Sequence, residues 1–119
     1  MSSAKDEWDT QKVNESSLGT AKHYDTGKPA IQWIPYEALS VIAQAFEYGM
    51  GKYGTLNYQG GMKWSKMIGS ILRHTYKFMG GEDNDEESGL SHLSHLGADV
   101  CMLIYFTVHH KELDDRKGA

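Results

Sequence analysis

The residues best able to do chemistry in this chain are His92, His95 and Asp99, spaced i, i+3 and i+7. At about 100° per residue these positions fall within about 60° of one another around a helix axis, so a helix would stack two imidazoles and a carboxylate on one face. Neutral imidazole and ionised carboxylate both bind divalent metals, and helical spacing keeps them within reach of one ion. The same residues also suit a plainer role, with the histidines hydrogen-bonded near a helix start and Asp99 paired to one of them. Upstream stand Arg73 and His74, followed after a glycine pair by the acidic run Glu82, Asp83, Asp85, Glu86 and Glu87. Across an antiparallel helix pair, Arg73 and His74 would lie beside the start of the next helix, and this convergence of imidazoles, carboxylates and a guanidinium favours a metal site over a solvated linker. A calcium loop is disfavoured, because Gly89 comes one position too late and no closing bidentate Glu follows.

A second group surrounds the loop Lys52-Tyr53-Gly54-Thr55-Leu56-Asn57-Tyr58, with Trp64 and Ser65 just beyond. Aromatic faces stack on a nucleobase, Asn57 offers an amide to a base edge and Lys52 a cation to phosphate, which makes a nucleotide cradle. Aromatic side chains plugging a helix end are the competing reading. Lys28, between Gly27 and Pro29, is carried on turn and extended backbone, either as a phosphate contact or as a solvent-facing cation. Glycine-rich phosphate loops of the Walker or Rossmann kind are absent, and no Ser or Cys has a base at defined spacing.

Three helices would position these groups. Pro35 suits a first helical turn, and Leu39, Ile42, Ala43 and Phe46 continue at helical spacing, with Gly49 and Gly51 expected to stop the helix. Residues 54–62 form a loop, and Trp64, Ile68, Ile71, Leu72, Thr75 and Met79 mark a second helix closed by Gly80-Gly81. The acidic run is too polar to pack, and Ser88 then serves as N-cap for a third helix carrying Leu90, Leu93, Leu96, Val100, Leu103, Ile104 and Val108. No strand alternation competes. The expectation is an all-α fold, three principal helices in a bundle completed by oligomerisation, with an irregular amino-terminal segment that includes a flexible polar tail over residues 1–24. The all-α domain is expected over residues 25–112, and residues 113–119 fray. The third helix is apolar on more than one face, which predicts a homo-oligomer, a dimer or higher.

Composition narrows the functions further. With 119 residues, 39% hydrophobic and 24% charged, the chain suits one globular domain. Its net charge is −4 and it contains only two arginines, Arg73 and Arg116, so no basic stripe tracks a nucleic acid. The single cysteine, Cys101, excludes an internal disulfide or a cysteine metal site. No apolar run approaches the roughly 20 residues of a membrane span, and the amino terminus lacks a signal sequence, so a cytoplasmic location is expected.

Taken in order, Asp25-Thr26-Gly27-Lys28-Pro29, Ile34-Pro35, Ala38-Leu39, Tyr48-Gly49, Lys52-Tyr53-Gly54, Asn57, Trp64-Ser65, Arg73-His74, Gly81-Glu82-Asp83 with Asp85, Glu87-Ser88-Gly89-Leu90, His92-Leu93 and His95 resemble the phage dATP/dGTP diphosphohydrolase domain family, itself similar to MazG-type all-α nucleotide pyrophosphohydrolases. The resemblance implies an oligomeric, divalent-metal-dependent enzyme that converts a purine deoxynucleoside triphosphate to monophosphate and pyrophosphate. It also implies that His92, His95, Glu82 and Asp83 hold or support metal and serve catalysis, that Lys28, Lys52 and Arg73 lie near phosphate, and that Asn57, Tyr53 and Trp64 lie near the base. Asp99 joins the metal group, and His74 the catalytic group, on spacing and position alone. MazG-type enzymes chelate magnesium with clustered glutamates, whereas here the first helix offers only Glu37 and Glu47, about 80° apart and almost three turns separated. Magnesium or manganese is expected, and histidine ligands open the site to other transition metals. The alternative is a non-catalytic binder that sequesters a nucleotide or a nucleotide-derived immune signal.

Overall fold

The computed structural model describes Thr20, Ala21, Tyr24 and residues 26–118. Those apart, the expected tail falls outside the described residues, as does Asp25. The chain divides into two compact units, residues up to Ile34 and residues from Pro35 onward. In the first, Gly27 takes a left-handed φ of 83° and a 3-10 turn spans Ile31–Trp33.

The second unit holds three helices, α1 (Tyr36–Tyr53), α2 (Trp64–Met79) and α3 (His92–His109), with short 3-10 turns at Asn57–Gly60 and Lys111–Leu113. Among the described residues no β-strand forms, only an isolated antiparallel bridge between Asn84 and Ser91. Both α1 and α2 pack on α3, which makes it the central element. The core gathers where α2 begins and α3 ends: Trp64, Met67 and Phe106 are buried there, with Met62, Ile71, Met102 and Leu103 around them. Among the described residues no helix is long and apolar enough to cross a membrane.

Two helix boundaries differ from the sequence expectation. Helix α1 runs through Gly49 and Gly51 and stops at Gly54, whose φ of 96° is open only to glycine and whose N–H bonds Met50 O at 3.1 Å. A glycine inside a helix costs only about 1 kcal/mol, which packing offsets, whereas a left-handed terminator ends it outright. Helix α3 starts at His92, not near Ser88, and its cap is Ser91, whose Oγ accepts from Leu93 N. Ser88 is used elsewhere, giving its N–H and hydroxyl to Asp85 Oδ2 at 2.9 and 3.0 Å. This turn, closed by Asp85 N to Leu90 O at 2.7 Å, removes Leu90 from the helix and folds the acidic run back on itself.

The chain end also folds back. Trp64 Nε1 donates to His110 O at 3.1 Å, Asp115 accepts from Ser65 N at 2.9 Å and from Ser65 Oγ, and the Arg116 guanidinium lies 4.7 Å from the Trp64 ring. Asp115 thus caps α2 from the far end of the sequence, which supplies the acceptor that Lys63, at the cap position, lacks.

At the crossing of α1 and α3, a Cβ on Gly97 would lie 2.5 Å from Ile42 Cγ1 and 2.8 Å from Cδ1. Gly97→Ala is therefore expected to destabilise, because overpacking costs about 1–3 kcal/mol against a helix-propensity gain of about 1 kcal/mol. Urea unfolding checks this, and Gly97→Ala should cost less in an Ile42→Ala background, since the two changes share one contact.

Candidate functional site

Helical periodicity turns one face of each helix toward a common cavity of about 650 Å³. Helix α2 contributes Lys66, Ser70, Arg73, His74 and Lys77, spaced at turns along one side. Helix α3 adds His95, Ala98, Asp99 and Met102, and α1 adds Phe46, Tyr48 and Lys52. The wall is completed by Asn57 and Tyr58 from the loop and by Asp85 and Glu87 from the acidic turn.

At one end the imidazoles meet. His92 is fully buried, and its Nε2 donates to Glu82 Oε2 at 2.6 Å. The carboxylate accepts, so Nε2 carries a proton, and Nδ1 lies 2.9 Å from His74 Nδ1. The His74 ring stacks on His95, with centroids 5.0 Å apart and planes 10° apart, and Tyr48 meets His95 edge-on. His95 Nε2 lies 2.6 Å from Ser88 Oγ and 3.8 Å from Asp85 Oδ2. Burial lowers the pKa of His74, and the neighbouring His95 and His92 lower it further, so its neutral, ligating form prevails at neutral pH. Burial pulls Asp85 upward, but hydrogen bonds from the Ser88 amide and hydroxyl, with His95 and His74 nearby, outweigh it and hold the carboxyl below its ordinary range.

Three ligand atoms, one each from His74, Asp85 and His92, lie within 4.8 Å of one another. The donor set fits a divalent ion. Two imidazole nitrogens 2.9 Å apart match neighbouring ligands at about 90° on an ion bound at about 2.0–2.1 Å. The carboxylate behind His92 is the outer partner that metal-bound histidines commonly have.

Farther along the cavity Asp99 accepts a hydrogen bond from Ser70 Oγ at 2.6 Å. Burial raises its pKa, only partly offset by Ser70, His95 and Arg73. Lys52 pairs with Glu87 at the mouth, and that hydrogen bond raises its pKa.

The model of the family described as "dATP/dGTP diphosphohydrolase, N-terminal" matches residues 19–116. The chain belongs to this family. A "dATP/dGTP diphosphohydrolase" of Salmonella phage PMBT28 is 26% identical over 100 residues, 84% of this chain and 34% of the relative. The chain thus spans about a third of the length of that protein. No solved structure matches.

Within this family domain the structure brings His74, His92, His95, Arg73, Lys52, Tyr53 and Asn57 to or directly behind the cavity. Others lie elsewhere. Glu82 stands behind His92 as its hydrogen-bond partner, and the Asp83 backbone carbonyl accepts from His92 N while its side chain is exposed. Asp99 shares the cavity wall but is bonded to Ser70, apart from the three converging ligand atoms. Trp64 is a core residue, 5% exposed, and does not line the cavity. Lys28 belongs to the first unit. Sequence reasoning did not single out Lys66, Ser70 or Lys77, although they share a helical face with Arg73 and His74.

Proposed function

We propose that this domain binds a purine deoxynucleoside triphosphate, dATP or dGTP, with a divalent ion and splits it into monophosphate and pyrophosphate. The observation that carries the reading is one cavity whose wall gathers imidazoles, Asp85 and the cations Lys52, Arg73 and Lys77 together with Phe46, Tyr58, Met67 and Met102. The family match and the name of the phage relative support it.

His74, Asp85 and His92 would hold the ion, magnesium, manganese or another transition metal, with Glu82 orienting His92. A bound ion supplies charge neutralisation on phosphate oxygens and a water of lowered pKa. Arg73 offers a planar fork to phosphate, and Lys77 and Lys52 add point charges, Lys52 by exchanging Glu87 for substrate. Phe46 and Tyr58 give faces and edges to the base, with Asn57 available to its hydrogen-bonding edge, while the Tyr53 ring lies beside Lys52. Glu37 and Glu47 do not border the cavity. That absence of an α1 carboxylate favours the second reading, a binder that sequesters a nucleotide or a nucleotide-derived immune signal without turnover.

Incubating the protein with each dNTP and magnesium or manganese separates the two. The enzyme releases deoxynucleoside monophosphate over many turnovers, whereas the binder returns intact ligand in stoichiometric amount after heat denaturation.

A homo-oligomer and a cytoplasmic site of action belong to the same proposal. Leu93, Val100, Ile104 and Val108 form an exposed apolar stripe along α3, of the kind that two-fold helix pairing covers. Light scattering after size exclusion is expected to give at least a dimer, and Ile104→Glu a monomer.

A further inference from the structure

The cavity is graded in steps of one helical turn. Helices α2 and α3 run antiparallel, as the pairs His74–His92 and Ser70–Asp99 require. Ser70 precedes His74 by four residues and Asp99 follows His95 by four, so both stand about 6 Å along the axes from the imidazole cluster. One turn farther come Met67 and Met102, with Phe46 and Tyr58 edge-on to each other at 5.5 Å. A nucleotide has the same three levels: phosphates, sugar, base. If phosphates meet the imidazole end and the base meets the aromatic end, Ser70 and Asp99 stand at the sugar.

Asp99 is built to receive a donor there. It is 9% exposed and borders the cavity, and only its Oδ2 is engaged, by Ser70; the other oxygen accepts no hydrogen bond among the described residues. A carboxylate with so little access to water is stabilised by a second donor. A 2′-deoxyribose held at this level presents one strong donor, its 3′-hydroxyl. Resting on the nucleotide reading above, we propose that Asp99, positioned by Ser70, is a specificity-determining residue that accepts a hydrogen bond from the sugar 3′-hydroxyl. The site then selects nucleotides with a free 3′-hydroxyl, and it disfavours chain-terminated ones.

The test is calorimetric binding of dGMP and of its 2′,3′-dideoxy counterpart with manganese, neither of which is consumed. The native chain is expected to bind dGMP roughly tenfold or more tightly, the usual size of a hydrogen bond to a charged group. Asp99→Ala should bring the two affinities together, and Ser70→Ala should narrow the gap. Equal affinities in the native chain, a comparison that needs no variant to fold, would overturn the proposal. So would a gap that persists in a natively folded Asp99→Ala. Binding of both ligands with equal strength leaves the nucleotide reading standing, whereas binding of neither removes both.

Discussion

Replacing His74 with alanine is expected to remove more than the 10–100-fold of metal affinity that loss of an outer partner typically costs, and to take dNTP hydrolysis with it. His74 has Nδ1 2.9 Å from His92 Nδ1 and its ring on His95, so it joins the two histidines of α3 to α2. Its removal leaves the core of Trp64, Met67 and Phe106 untouched, and the variant should keep its helical content. Glu82→Gln supplies the graded comparison. The amide oxygen still accepts from His92 Nε2 but without charge, so the loss should stay within the outer-partner range. Manganese titration by calorimetry, beside product formation, reads both. Unchanged manganese affinity in His74→Ala would sink the assignment of the cluster.

Trp64→Ala is expected to cost about 3–5 kcal/mol of folding stability, the range for deleting a buried large aromatic side chain. The ring is 5% exposed, packs in the core, donates to His110 O and carries Arg116 on its face. Losing it also loosens the returning chain end that caps α2. Urea unfolding measures the loss. Trp64→Phe refines the test: it keeps most of the apolar volume and gives up one hydrogen bond, so it should fold, and its nucleotide affinity should match the native chain. A stable Trp64→Ala that fails to bind nucleotide would instead put the indole at the base.

Helix α2 was legible in full, because Trp64 through Met79 carries an unbroken 3.6-residue period ended by a glycine pair. The far end of α1 was not, since glycines at 49 and 51 look like terminators until the backbone shows that only Gly54 takes the left-handed conformation. Ser88 and Ser91 are both sound caps in sequence, and Asp85 decides between them by engaging Ser88. The same turn explains why Asp85 joins His74 and His92 in the converging ligand atoms, while Glu82 bonds His92 from behind and the Asp83 side chain is exposed. Along a run of acids nothing local distinguishes one carboxylate from the next, and the reversal at Gly89, with φ of 75°, turns Asp85 inward. That His92 and His95 share a face of α3 was readable from their spacing, whereas His74 came from its position on the neighbouring helix. Trp64 misled because an aromatic residue beside a helix start can face a ligand or a core, and the choice was made by residues 110–116, nearly fifty positions away. Lys66, Ser70 and Lys77 could have been found by extending the face of Arg73 and His74 a turn or two each way.

Diffraction at the manganese absorption edge, from crystals grown with manganese and dGMP, tests the cavity assignment most directly. One anomalous peak bounded by His74, Asp85 and His92, with the nucleotide phosphate beside it and the base toward Met67 and Met102, is the predicted result. A peak elsewhere, with those three side chains unbound and the nucleotide outside the cavity, would contradict it.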